Sequence, residues 1–204
     1  NTSKKLRLKR NGWKVMKKLK TLLTTTFKGF SGKKFNPRRY LEMADIELEH
    51  DREGVHYRLA DRVDIVALLA IERDVYNGDI PWTFSHFEHE IVKNDEAFFI
   101  VAEISGSVIG FIGTRINHHG QDAHITNLAV FKAFQGQQIA STLIEQLIVL
   151  MSALGKNEMT LEVRRDNTKA QGLYRRQGFV TDKLLPEYYE DGADAIWMIK
   201  KLKK

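Results

Sequence analysis

The chain has 204 residues, 43% hydrophobic, 10% aromatic and 28% charged. This is globular composition and excludes a disordered or collagen-like chain; no apolar run reaches the roughly 18 residues of a membrane span. With no cysteines, disulfides, thiolate metal sites and cysteine nucleophiles are excluded, and a cytoplasmic location is expected.

Charge is unevenly spread. Residues 1–41 carry 14 of the 32 Lys and Arg and none of the 26 Asp and Glu, so the remaining chain is net negative by 8. Two surfaces with two kinds of partner are expected. The basic stretch interleaves Trp13, Met16, Leu19, Leu23, Phe27 and Phe30 with lysines at helical spacing. Such a segment suits RNA phosphates or an anionic membrane surface, or it docks on its own domain. It lacks the apolar stretch and cleavage site of a signal peptide. Leu41 to Gly54 reads as an acidic linker. The expected division is therefore an extension and linker over 1–54 and one domain over 55–204.

From Val55 onward the segment VHYRLA reads as a short strand. Asp61 is placed to cap a helix whose apolar stripe includes Ile65, Leu68, Leu69 and Ile71. Pro81 and Trp82 fall in a loop, and a second helix runs over about 84–92. AFFIVAEI and SVIGFIGTRI are two strands joined at Ser105-Gly106, a hairpin signal. A turn at His118-His119-Gly120 leads to a third strand, AHITNLAVF. Residues 139–153 have strong helical periodicity. MTLEVR is a strand, 168–177 a helix, and GFVTDKLL and AIWMIKKL are closing strands. The order β-α-α-β-β-β-α-β-α-β-β predicts an α/β (α+β) domain, its mixed, mostly antiparallel sheet flanked by helices.

The chemistry concentrates in two segments. In NLAVFKAFQGQQIASTLIEQLI a strand runs through a short loop into a helix, whose first amides and positive dipole end suit a pyrophosphate. In LEVRRDNTKAQGLYRRQGF a strand, loop and helix lead to a Gly-Phe entry into the next strand. Asn167 is placed as a helix N-cap. His118, His119 and His124 lack the carboxylate–histidine spacing of a metal site, and His86 and His89 read as a solvated helix face. No metal is expected. Neither a Gly-x-Ser-x-Gly elbow nor a Walker loop is present.

Together the two segments resemble the GNAT acyltransferase superfamily, and within it the ribosomal-protein-alanine N-acetyltransferases. The residues that carry the resemblance are Asn127–Val130, the loop Gln135-Gly136-Gln137-Gln138-Ile139-Ala140, Leu161–Arg164, Asn167, Leu173-Tyr174, Gly178-Phe179, Tyr188-Tyr189, Asp191-Gly192, Asp194-Ala195 and Met198. Pro81-Trp82 resembles the family's PW loop. The similarity spans about 56–202. One position departs: Gln138 stands where the family has its first loop glycine.

The resemblance implies a GNAT fold and acetyl transfer from acetyl-CoA to a protein N-terminal amine, with the alanine start of a small-subunit ribosomal protein as acceptor. It implies Glu162 as the base and Tyr174 as the acid. It places acetyl-CoA along Leu128, Ala129 and Val130, on Gln135, Gly136, Gln137, Gln138, Ile139, Ala140 and Ser141, and beside Asn167. Pro81, Trp82, Tyr188 and Tyr189 would shape the acceptor groove. Two other readings stand beside it. One is acetylation of a small amine or a lysine. The other is a binding module that has lost catalysis at Gln138.

Overall fold

The computed structural model describes residues 54–78, 81–117 and 121–202. The basic stretch, the linker up to residue 53, and His118 and His119 lie outside the described residues.

Strand β1 is His56–Leu59. The chain then enters a capping box: Asp61 accepts from the Arg62 amide, and Asp64 reaches back to the Asp61 amide at 2.7 Å. Two of the orphan amides at the helix start are thereby satisfied, and helix α1 follows over Ile65–Val75. Arg58 of β1 fixes this corner by gripping Asp64 with both terminal nitrogens. Helix α2 is Phe84–Glu88, capped by Thr83, and it widens into π-helical turns over His89–Lys93. The sequence periodicity runs through this junction without a break, so one helix was expected there.

Strands β2, Ala97–Ile104, and β3, Ser107–Ile116, form a hairpin. Its two turn residues, Ser105 and Gly106, both have positive φ, 49° and 80°. That is the backbone of a type I′ turn, whose twist matches the flanking strands. Strand β4 is Asp122–Val130, helix α3 Ile139–Ala153, strand β5 Glu158–Arg164, helix α4 Thr168–Arg176, strand β6 Val180–Leu185 and strand β7 Ala195–Lys201. The element order expected from the sequence is observed throughout.

The seven strands form one sheet in the order β1-β2-β3-β4-β5-β7-β6. Every neighbouring pair is antiparallel except β4 with β5. That pair is joined only at Asp122–Glu158, Ala123–Met159 and His124–Thr160. Beyond His124 and Thr160 the two strands part. A bulge at Thr126 in β4 accompanies the parting, because Gly113 of β3 faces Asn127 while Thr114 faces Ile125. Extra residues of this kind bend and twist a strand. Gly113 is required here: a Cβ on it would lie 2.5 Å from the Phe99 ring and 2.9 Å from Thr126 Oγ1.

Two apolar cores sit on opposite faces of the sheet. One packs α3 through Leu143, Ile144 and Leu147 against Ile112, Ile125 and Leu161. The other packs α1 and α2 through Ile65, Leu68 and Phe87 against Phe99 and Phe111. Among the described residues no helix is long and apolar enough to cross a membrane.

Candidate active site

Past the parting, Leu128–Val130 lie on β4 and Glu162 on β5. Alternation along β5 sends Met159, Leu161 and Val163 into the α3 core and leaves Thr160 and Glu162 on the opposite face. Glu162 is tied from two sides there. His124 of β4 places Nε2 2.7 Å from Glu162 Oε2, and the Tyr188 hydroxyl donates to Oε1 at 3.1 Å. Burial acts to raise the Glu162 carboxyl, but the bonds from His124 and Tyr188 outweigh it and hold it below the usual range.

Tyr188 and Tyr189 come from the β6–β7 loop, which is clamped. Arg164 pairs with Asp191 at 2.9 Å and Arg165 with Asp194 at 2.9 Å, while the Glu187 amide donates to Asp194 Oδ1. The Arg164 guanidinium lies over the Tyr189 ring, 4.9 Å from its centroid. Burial, with Tyr188 and Glu162 nearby, pushes the Tyr189 hydroxyl up to about 12. The Asp-Gly-x-Asp-Ala stretch therefore shapes the loop that delivers Tyr188 to Glu162.

Tyr174 lies on α4 with its ring edge-on to Phe179. Its hydroxyl finds no hydrogen-bond partner among the described residues. Burial is the main cause that raises it well above the ordinary phenol range, with Tyr76 and Tyr189 adding to the effect. It stays protonated at any physiological pH.

The stretch between β4 and α3 has the strand–loop–helix order expected from the sequence. Gln135 Nε2 donates to the Val130 carbonyl, folding the loop back on the end of β4, and Lys169 of α4 donates to Gln135 Oε1. None of the amides from Gly136 to Ser141 finds an acceptor among the described residues. The first to do so is Thr142, whose amide bonds the Gln138 carbonyl. A row of free amides at the start of a 15-residue helix fits a pyrophosphate. Gln138 is left-handed, with φ 63° and ψ 3°, and is exposed. The backbone that glycine would adopt freely is thus kept, with the side chain turned to solvent. Leu128, Ala129 and Val130 lie past the parting, with no β5 partner in register.

Asn167 caps α4, accepting from the Ala170 amide at 3.0 Å. Trp82 packs on Phe87 and Phe99, partly buried against the core. His86 is engaged at the Thr83 cap. Among the described residues no group of three His, Asp or Glu is arranged to hold a metal ion.

Sequence reasoning missed two residues. His124 entered only as a possible metal ligand, whereas it serves the Glu162 carboxylate. Glu72 was passed over, although it stands seven residues after Ile65 and four after Leu68, on the buried face of α1. It is 1% exposed, accepts from the Trp82 amide at 3.1 Å and meets Asn127 Nδ2 at 3.4 Å. Burial drives its carboxyl up to about 7, against the opposing pull of those two donors.

A seven-stranded mixed sheet that parts at β4 and β5, with free amides at the α3 start, is the architecture of an acetyl-CoA-dependent N-acetyltransferase. The chain belongs to the GNAT acetyltransferase family, whose model matches residues 64–179. A Bacillus subtilis protein named as a ribosomal protein bS18-alanine N-acetyltransferase is 36% identical over 136 residues, 66% of this chain and 87% of that one. An N-alpha-acetyltransferase of Sulfurisphaera tokodaii is 31% identical over 170 residues, 77% of this chain and the whole of that one. Among solved structures, the ribosomal-protein-S18-alanine N-acetyltransferase from Escherichia coli superposes with a TM-score of 0.66 at 25% identity, covering 74% of this chain and 95% of that one.

Proposed function

We propose that this protein acetylates the α-amine at a protein N-terminus, and that its acceptor is the N-terminal alanine of a small-subunit ribosomal protein. The observation that carries the chemistry is the Glu162 carboxylate, oriented by His124 and Tyr188 on the strand that borders the parting. The names of the Bacillus and Escherichia relatives support the acceptor. The net negative body suits a basic ribosomal partner.

An amine attacks a thioester only as the free base. An α-amine, with a pKa of roughly 7.7–8.0, offers a useful neutral fraction at pH 7, whereas a lysine offers about a thousandth. As the new C–N bond forms, Glu162 takes the proton the amine loses. As the C–S bond breaks, Tyr174, held as the phenol, gives a proton to the departing thiolate and is reprotonated through solvent as Glu162 releases the proton it took. Each such group contributes about 10²–10⁴-fold, and alignment of amine and thioester supplies the remainder. Amides 136–141 bind the pyrophosphate, Leu128–Val130 present backbone groups to the pantetheine arm and Asn167 borders it. Trp82, Tyr188 and Tyr189 wall the acceptor side. Glu72 joins the Trp82 loop to the β4 bulge, positioning that wall.

The basic stretch of residues 1–41 is proposed as a phosphate-contacting element separate from catalysis, toward ribosomal RNA or anionic lipid. A chain starting near Asp51 should acetylate a short peptide normally and lose salt-sensitive binding to ribosomes or vesicles. The acceptor is tested by incubating the protein with acetyl-CoA and peptides that differ in their first residues, then weighing the products. Acetylation of lysine side chains with no N-terminal product would overturn the reading.

A further inference from the structure

We infer that His124 is a positioning residue for Glu162: its Nε2 anchors Oε2 while Tyr188 holds Oε1, and together they fix the plane of the carboxylate toward the acceptor. The inference rests on Glu162 as the proton acceptor.

Three constraints converge on the imidazole. Nε2 meets Glu162 Oε2 at 2.7 Å, Nδ1 meets Thr160 Oγ1 at 2.9 Å, and the ring stacks on Trp197 with centroids 5.3 Å apart and planes 26° from parallel. His124 and Thr160 form the last register pair before β4 and β5 part. Glu162 stands two residues further on the same face of β5, opposite Trp197 of β7. The ring therefore sits at the fork of the sheet, anchored on the side where the strands are still joined and reaching toward the side where they are not.

The pairing has a chemical logic that packing alone does not require. An ionised carboxylate only accepts, so Nε2 must carry a hydrogen. Nδ1 faces a hydroxyl, which donates to a bare nitrogen or accepts from a protonated one. Both neutral imidazole and imidazolium make the same two contacts. Other groups face Glu162 from each side. Tyr188 donates to it, and Tyr189 and Arg164 lie in the clamped loop and on β5. On β6, Lys183 lies over the far partner, Trp197, at 5.2 Å. Arg115, beside His124 in register on β3, is taken up by Glu90 at 2.8 Å. From α1, Glu72 is committed to the Trp82 amide and Asn127. His124 is thus the foremost of the partners that pull the Glu162 carboxyl down against burial, with Tyr188 adding to it.

The test is a ¹³C NMR titration of the Glu162 side-chain carboxyl in the full chain, its signal identified by its loss in Glu162→Gln. His124→Phe keeps a ring against Trp197 and removes the donor, so the Glu162 midpoint should move to higher pH, because burial then acts unopposed by His124. Saturating-substrate kcat at pH 6 should fall about 10-fold or more, with KM for acetyl-CoA unchanged. His124→Gln returns an N–H donor near the position of Nε2 and should recover part of both. An unmoved midpoint in a folded His124→Phe protein overturns the inference, as does an unchanged kcat. Full activity in Glu162→Gln would instead overturn the assignment of the base. Loss of activity in Glu162→Gln with a silent His124→Phe sinks the positioning role alone.

Discussion

Glu72 makes stability depend on pH in a way that a single variant exposes. Its carboxyl is 1% exposed and titrates at about 7, against an ordinary 4.5 in the unfolded chain. The folded state holds this proton more tightly than the unfolded state does. The contribution is therefore most favourable below about pH 4.5, declines from there to about 7 and is flat above. At 1.36 kcal/mol per pH unit the decline amounts to roughly 3 kcal/mol. Glu72→Gln mimics the protonated acid. Its oxygen still accepts from the Trp82 amide, and once the Asn127 amide turns over, its –NH₂ donates to Asn127 Oδ1, a buried oxygen with no partner among the described residues. Urea unfolding of both proteins at pH 5 and pH 8 isolates the effect, since every other titrating group cancels in the difference. Relative to wild type, the variant should gain about 2–3 kcal/mol between the two pH values. A difference that does not change with pH would refute the reasoning. A stabilised variant that turns over more slowly would show that the acceptor wall keeps a charge there at the expense of stability.

Tyr174→Phe should lower kcat about 10²-fold or more, with the melting temperature within a degree or two, because its hydroxyl holds no partner among the described residues; a wild-type rate would remove Tyr174 from the chemistry. Gln138→Gly relieves a left-handed side-chain residue and should stabilise the fold by about 0.5–1 kcal/mol in denaturant titrations. Calorimetry should show tighter acetyl-CoA binding in that variant, and no binding by the wild type at millimolar ligand would sink the loop assignment. Gly113→Ala places a methyl against Phe99 and Thr126 and should destabilise by about 1–3 kcal/mol by the same titration; a neutral result would mean that the β4 bulge shifts freely.

Much of this was legible because local chemistry and tertiary role agree. The Ser105-Gly106 turn, the Asp61 cap and the α3 stripe each announce themselves within a few residues, and the structure keeps all three. The catalytic candidates were legible only through resemblance, since a Glu in a strand and a Tyr in a helix have no local signature. The partners of Glu162 were illegible for a topological reason. His124 and Tyr188 lie 38 residues before it and 26 after, and they meet it only because β4 and β7 both flank β5. Glu72 hid for another reason: a charged residue on an apolar stripe reads as a helix edge until the depth of its burial is known. The π-helical turns after Glu88 left no trace in the periodicity.

A sheet usually has two edges, and it guards them against stray strands with charge, twist or cover. This one has four. Where β4 and β5 separate, each exposes backbone donors and acceptors toward the other, in the middle of the molecule. In the proposed reading, the extended, amide-bearing pantetheine arm enters there and pairs with the inner edge of β4. A defect that would invite aggregation at the rim becomes, at the centre, a selective doorway.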